Sequence, residues 1–197
     1  VDLTAKDVTI EITARPVTNR VADAEKIFEE DDSVFTGSIT SGKLVAAGDL
    51  GTITYSRTNT AEAVGTYTGV LTASYSANKN YTVTVVPGNF EIKTASIKDA
   101  ALNAAGGSWT YDGTAHSASA TVTGAEGYTV YYKVGENDWT ITAPSVTNVS
   151  EGKLTVSVKA TRTGYVDLTA KDVTIEITAR PVTITVANAS KFFDEKD

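Results

Sequence analysis

One eighteen-residue stretch occurs twice, and it constrains the chain more than any other feature. Residues 1–18 recur unchanged as residues 166–183, an offset of 165 residues. Beyond the stretch the copies drift but stay in register: Val21 answers Val186, Lys26 answers Lys191, Phe28 answers Phe193 and Asp32 answers Asp197. The chain therefore reads as one full period of a repeat array with an overlap at each end. On this reading it is a piece of a longer array, and any signal or anchor lies outside it.

Inside the stretch, Asp7-Val8-Thr9-Ile10-Glu11-Ile12-Thr13 alternates polar and apolar residues, mostly β-branched, which is the pattern of a half-buried strand. Arg15-Pro16 follows. A residue before proline is held extended and proline donates nothing to a ladder, so the strand is expected to break or change sheet there. In the second copy alternation resumes at once through Val182, Ile184 and Val186. The last strand of one unit thus runs almost directly into the first strand of the next.

Further strands are read at residues 34–40, 50–56, 66–75, 81–86 and 89–93, with a turn at Pro87-Gly88 between the last two. A second set follows at 95–99, 117–123, 127–134 and 153–162, before the repeated stretch closes the unit. The two sets look like remote copies of one plan. Lys-Ile-Phe-Glu-Glu at 26–30 stands in the place of Trp-Thr-Tyr-Asp-Gly at 109–113, and Phe90-Glu91-Ile92 answers Ile175-Glu176-Ile177. Half a period, about 82 residues, is enough to bury a modest core unaided. The expected fold is all-β: two tandem small β-sandwich modules of Ig-like type in an elongated array. The expected boundaries are a closing strand at 1–15, modules at 16–94 and 95–181, and the start of the next repeat at 182–197. The alternative is a β-grasp-like module, which requires a helix at 43–50 or 100–105.

Composition narrows the function classes. The chain is 41% hydrophobic and 21% charged, ordinary for a folded domain. It has no cysteine, which excludes disulfides and thiol chemistry. A net charge of −7 disfavours nucleic acid and anionic membrane as partners. No apolar run is long enough to insert in a membrane as a helix.

Several motifs resemble the tandem MBG and YDG-type repeats of bacterial surface adhesins. They are Lys-Ile-Phe-Glu-Glu-Asp-Asp at 26–32, Gly-Asp-Leu-Gly-Thr-Ile-Thr-Tyr at 48–55 and Val-Gly-Thr-Tyr at 64–67. Asn-Tyr-Thr-Val at 80–83, Tyr-Asp-Gly-Thr-Ala-His at 111–116 and Gly-Tyr-Thr-Val-Tyr-Tyr at 127–132 join them. Glu29-Glu30 departs from the Asp-Gly that the resemblance leads one to expect. The resemblance implies a non-enzymatic stalk or spacer, extracellular at the cell surface or in the cell wall. The partners it implies are neighbouring repeats and a host or cell-wall glycan or protein.

Candidate sites are few, and each has a plain alternative. Glu29, Glu30, Asp31 and Asp32 form the densest acid cluster, and neighbouring turn carboxylates are calcium ligands. The plain reading is a solvated turn with no cofactor, and the second copy, Asp194-Glu195-Lys196-Asp197, places a cation among the acids. Trp109, Trp139 and Tyr131 are candidate sugar-stacking aromatics. The plain reading places one tryptophan in the core. His116, beside Thr114 and Ser117, lacks a nucleophile elbow, so no catalytic residue is assigned. A Lys–Asn isopeptide crosslink through Lys26, Lys93 or Lys159 requires a neutral, desolvated lysine. Finally, residues 1–15 are expected to pair with another chain or pack on the first module, because Val8, Ile10 and Ile12 make an apolar face without a native partner.

Overall fold

The structure is a computed structural model that describes residues 6–193. It is all-β, with one short 3-10 turn at Val149–Glu151 as its helical element among the described residues. The chain divides into two compact units. The first comprises 1–96 and 163–166; the second comprises 97–162 and 167–197.

The first unit holds seven strands: β1 (Arg15–Val21), β2 (Ala24–Ile27), β3 (Gly37–Ser41), β4 (Thr54–Arg57), β5 (Gly65–Ser74), β6 (Tyr81–Val86) and β7 (Gly88–Lys93). They form a three-stranded sheet in the order β3-β1-β6 and a four-stranded sheet in the order β2-β7-β5-β4. One hydrophobic cluster draws Val21 and Val85 from the first sheet together with Leu71, Phe90 and Ile92 from the second. A second cluster gathers Val17, Leu50 and Tyr81 at the other end of β1.

Pro87 does not turn the chain back. It separates β6 from β7 and passes the strand from one sheet to the other, because a residue without an amide hydrogen interrupts the ladder there. The β1–β2 link crosses the same point. A Cβ on Gly88 would lie 2.6 Å from the Ala22 carbonyl oxygen, so only glycine lets the two backbones meet.

The second unit holds β8 (Ala101–Ala105), β9 (Gly107–Thr110), β10 (His116–Ser117), β11 (Ser119–Thr123), β12 (Thr129–Val134), β13 (Ser145–Val146), β14 (Leu154–Thr161) and β15 (Leu168–Thr178). Its four-stranded sheet, ordered β12-β14-β15-β9, matches β4-β5-β7-β2 of the first unit strand for strand. The anticipated equivalence of Lys26 with Trp109 follows from the pairing. Lys26 lies opposite Ile92 in parallel register, and Trp109 lies opposite Ile177. The core gathers Tyr132, Val156, Val158, Ile175 and Ile177 of this sheet against Leu102 and Val146. Here the crossing glycine has changed sides: a Cβ on Gly106 would overlap the Thr174 carbonyl oxygen.

Some expectations are corrected. The strand expected at 95–99 lies instead at Ala101–Ala105, after a turn in which the Ala100 amide donates to the Ile97 carbonyl at 3.1 Å. The helix required by a β-grasp module is absent at both places: 43–50 is turns and bends, and Ala101–Ala105 is strand. The 43–50 segment is held by side chains, with the Val45 amide donating to the Tyr81 hydroxyl at 2.7 Å and Leu50 buried. The ladders are also not uniformly antiparallel, since β1 with β6, β2 with β7 and β15 with β9 are parallel pairs.

The repeated stretch adopts two structures. In its second copy it supplies most of β15, with Ile175 and Ile177 buried between β14 and β9. In its first copy, residues 6–14 form no strand and are exposed throughout, with Ile10 87% accessible against 0% for Ile175. The expected packing of this face on the first module is not seen. The reason lies in the partners: Ile175 sits opposite Leu154 and Gly107, and no strand occupies those places beside Ile10. The next seven residues reverse the contrast. Arg15–Val21 is a strand with Val17 buried, whereas Val182, Ile184 and Val186 are exposed.

Asn19 is buried within β1, and its second-copy counterpart is Ile184. Its amide nitrogen donates to the Tyr55 hydroxyl at 3.2 Å, while its Oδ1 has no partner. An unpaired buried carbonyl costs about 1–3 kcal/mol. Asn19→Ile is therefore expected to stabilise the first unit by about 1 kcal/mol or more, read as a higher denaturant midpoint with an unchanged slope.

Candidate functional site

The two units fill one equivalent position with different chemistry. In the first, Lys26 enters from β2 with its side chain 6% exposed and meets Asp32 at 3.0 Å and Glu62. Arg57 on β4 joins them, its Nε 3.1 Å from Asp32 and its guanidinium 4.8 Å above the Phe90 ring centroid. The hydrogen bond that the Lys26 ammonium donates to Glu62 raises the Lys26 pKa above its ordinary value, and Lys26 in turn lowers that of Glu62. In the second unit the equivalent Trp109 packs on the core and stacks on His116, centroids 4.8 Å apart at 17°. A salt-bridged cation and an aromatic pair thus cover the same end of the same sheet.

The acid cluster does not converge on a common point. Asp32 turns inward to Lys26 and Arg57, and Glu29 accepts a hydrogen bond from the Tyr165 hydroxyl. Among the described residues no group of three or more acids or histidines is placed to hold a metal ion. Residues 194–197, the acid turn of the second copy, lie outside the described residues. Glu29 takes a left-handed φ of 68°, one position before Glu30, which stands in the place of Gly113 with its φ of 80°.

Two of the three lysines named for a crosslink are engaged with carboxylates. Lys26 and Lys93 are both stabilised in the charged form, Lys93 through Glu25 at 2.5 Å, whereas amide formation needs the free amine. Lys159 is engaged with aromatic rings instead.

The aromatic candidates divide between two places. Trp109 is on the core side of the second unit, opposite Ile177. Tyr131 stands opposite Lys159 across β12 and β14, on the side away from the buried Val158 and Ala160. The Lys159 ammonium lies 5.8 Å from the Tyr131 centroid and 4.5 Å from that of Trp139. Lys133 reaches Trp139 at 5.8 Å. Among the described residues neither lysine forms an ion pair. Sequence reasoning singled out the rings but not Lys133, although period-two alternation from Tyr131 places it on the same face. Arg57 and Glu62 were also missed, and a separation of five residues across a loop carries no periodic signal.

His116 serves a turn. Its Nε2 lies 3.0 Å from Asp112, and the Thr114 amide and hydroxyl donate to the same carboxylate at 2.9 and 2.8 Å. These bonds, the Thr114 amide foremost, lower the Asp112 pKa from 3.8 to about 2. Asp49 is lowered as well, chiefly by the Tyr81 hydroxyl. Both carboxyls have folded values below their unfolded ones. Their contribution is complete above pH 3.8 and is lost on acidification, for Asp112 as the pH falls to about 2. Glu62 and Glu151, both lowered from 4.5, widen the window upward, so the thermal midpoint is expected to fall on acidification from about pH 4.5, and Asp112→Asn should flatten the lower part of the fall in the second unit.

Comparison with known proteins agrees with this geometry. No curated protein matches the chain. The profile of the MBG domain (YGX type) matches residues 17–91, from β1 to β7. MBG domains are found in bacterial surface proteins. Over residues 17–91, within its first unit, the chain thus matches the MBG domain family of the YGX type, in line with the resemblance carried by its motifs.

Proposed function

We propose that the chain is a spacer segment of a bacterial surface adhesin, with modules at 16–94 and 95–181, extracellular and without catalytic activity. Its partners are neighbouring repeats, and its product is distance between the cell and a binding region. One observation carries this reading. The closing strand of a unit ends at Thr178, equivalent to Thr13, and the opening strand of the next begins at Arg15. A single residue, Ala14, separates one period from the next on this alignment, and seven residues, 94–100, separate β7 from β8 within the period, so little slack accumulates along the array. Display of an epitope tag through one, two and three copies of the period tests the reading. Tag height above the envelope is expected to rise by a constant step per copy, and a height independent of copy number would overturn it.

A second reading rests on the outer face of the second unit. Tyr131 and Trp139 flank Lys159 and Lys133 there, and an aromatic face beside cations suits an anionic glycan. A glycan array separates the readings. Saturable binding that is lost in Trp139→Ala supports the glycan site, and uniform silence supports the spacer alone.

A further inference from the structure

We propose that the first unit is a shear clamp, a module whose strand order resists tension applied between its two ends. The proposal rests on the spacer reading for its purpose but on topology for its mechanism. Each strand at an end of the unit pairs in parallel with a strand from the opposite end of the chain segment, β1 with β6 and β7 with β2. β1 pairs with β6 from Arg15–Tyr81 to Arg20–Val86, and β2 pairs with β7 from Ala24–Phe90 to Ile27–Lys93. Every pair in both ladders keeps one sequence separation, 66 residues, so the register is unbroken where the chain changes sheet at Pro87.

Tension pulls β1 towards its N-terminus and β7 towards its C-terminus. Parallel partners pulled this way slide along each other. The bonds of a ladder then share the force and fail together, whereas antiparallel strands pulled apart from one end lose them singly. The two ladders lie in different sheets, so both sheets must shear before the core opens. The core spans the same seam, since Val21 and Val85 pack on Phe90 and Ile92. Forced unfolding reads the barrier rather than the equilibrium stability, so geometry decides it. The second unit repeats the plan with one short parallel ladder, from Ile175–Gly107 to Thr178–Thr110. It is expected to yield first.

The chain has no cysteine, so introduced pairs define the pulling direction in a single-molecule force experiment. In the whole chain, Ala14→Cys with Thr94→Cys loads the parallel ladders in shear. Thr52→Cys with Ala77→Cys, at exposed positions beyond the Thr54–Ser74 pair, unzips β4 from β5. The first pair is expected to rupture at a force severalfold above the second, with a length gain matching residues 15–93 at about 3.6 Å per residue. Equal forces, or a lower force end to end, would overturn the clamp. That outcome would leave the spacer reading standing, because tag height does not depend on rupture force. Thermal melts of both cysteine variants verify that each pulls on a folded unit.

Discussion

Ile175→Ala is expected to destabilise the second unit by about 2–5 kcal/mol, and Ile10→Ala to change nothing measurable. The two substitutions are the same change within the same eighteen residues. Ile175 is fully buried in a core with Val156, Val158 and Ile177, so truncation removes apolar contact and leaves a cavity. Ile10 is 87% accessible and has no such neighbours to lose. Denaturant unfolding of the two variants, followed by far-ultraviolet circular dichroism, tests the contrast, because Ile10 and Ile175 fall in different units and the strands of both contribute to that signal. An equal loss in both would mean that residues 6–14 bury the same face as their second copy.

Gly88→Ala and Gly106→Ala are each expected to cost about 1–3 kcal/mol, at the upper end of that range. A methyl at Gly88 would meet backbone, the Ala22 carbonyl oxygen at 2.6 Å, and one at Gly106 would overlap the Thr174 carbonyl oxygen. Backbone in a paired strand does not rotate aside as a side chain does. Each unit holds its crossing glycine on a different strand, β7 in the first and the β8–β9 link in the second. The two effects should therefore add in the double variant, since they fall in different units. Gly48→Ala is a control, because nothing lies within 4 Å of the added carbon.

The alternation of Val173, Ile175 and Ile177 was legible in the sequence, as was the match of Lys26 with Trp109. These signals are local, or they are carried by self-comparison. Which copy of the stretch becomes strand was not legible, because the outcome depends on Leu154 and Gly107, distant in sequence. The parallel pairing of each unit's outer strands was hidden for the same reason. Pro87-Gly88 reads as a turn by composition, and only the crossing of Ala22 reveals a sheet change. At the candidate sites, Asp32 looked solvated within an acidic run, and its commitment to Lys26 and Arg57 depended on β4. The split of Trp109 from Trp139 likewise required knowing which side of the sheet each occupies.

The stretch shared by both copies straddles a seam, since its first part closes one fold and its last part opens another. The period written in the sequence is thus a permutation of the period that folds. Wherever a duplication breakpoint falls, copying 165 residues inserts whole folds in phase and creates no novel junction. Such a gene can lengthen or shorten by recombination without selecting any new packing.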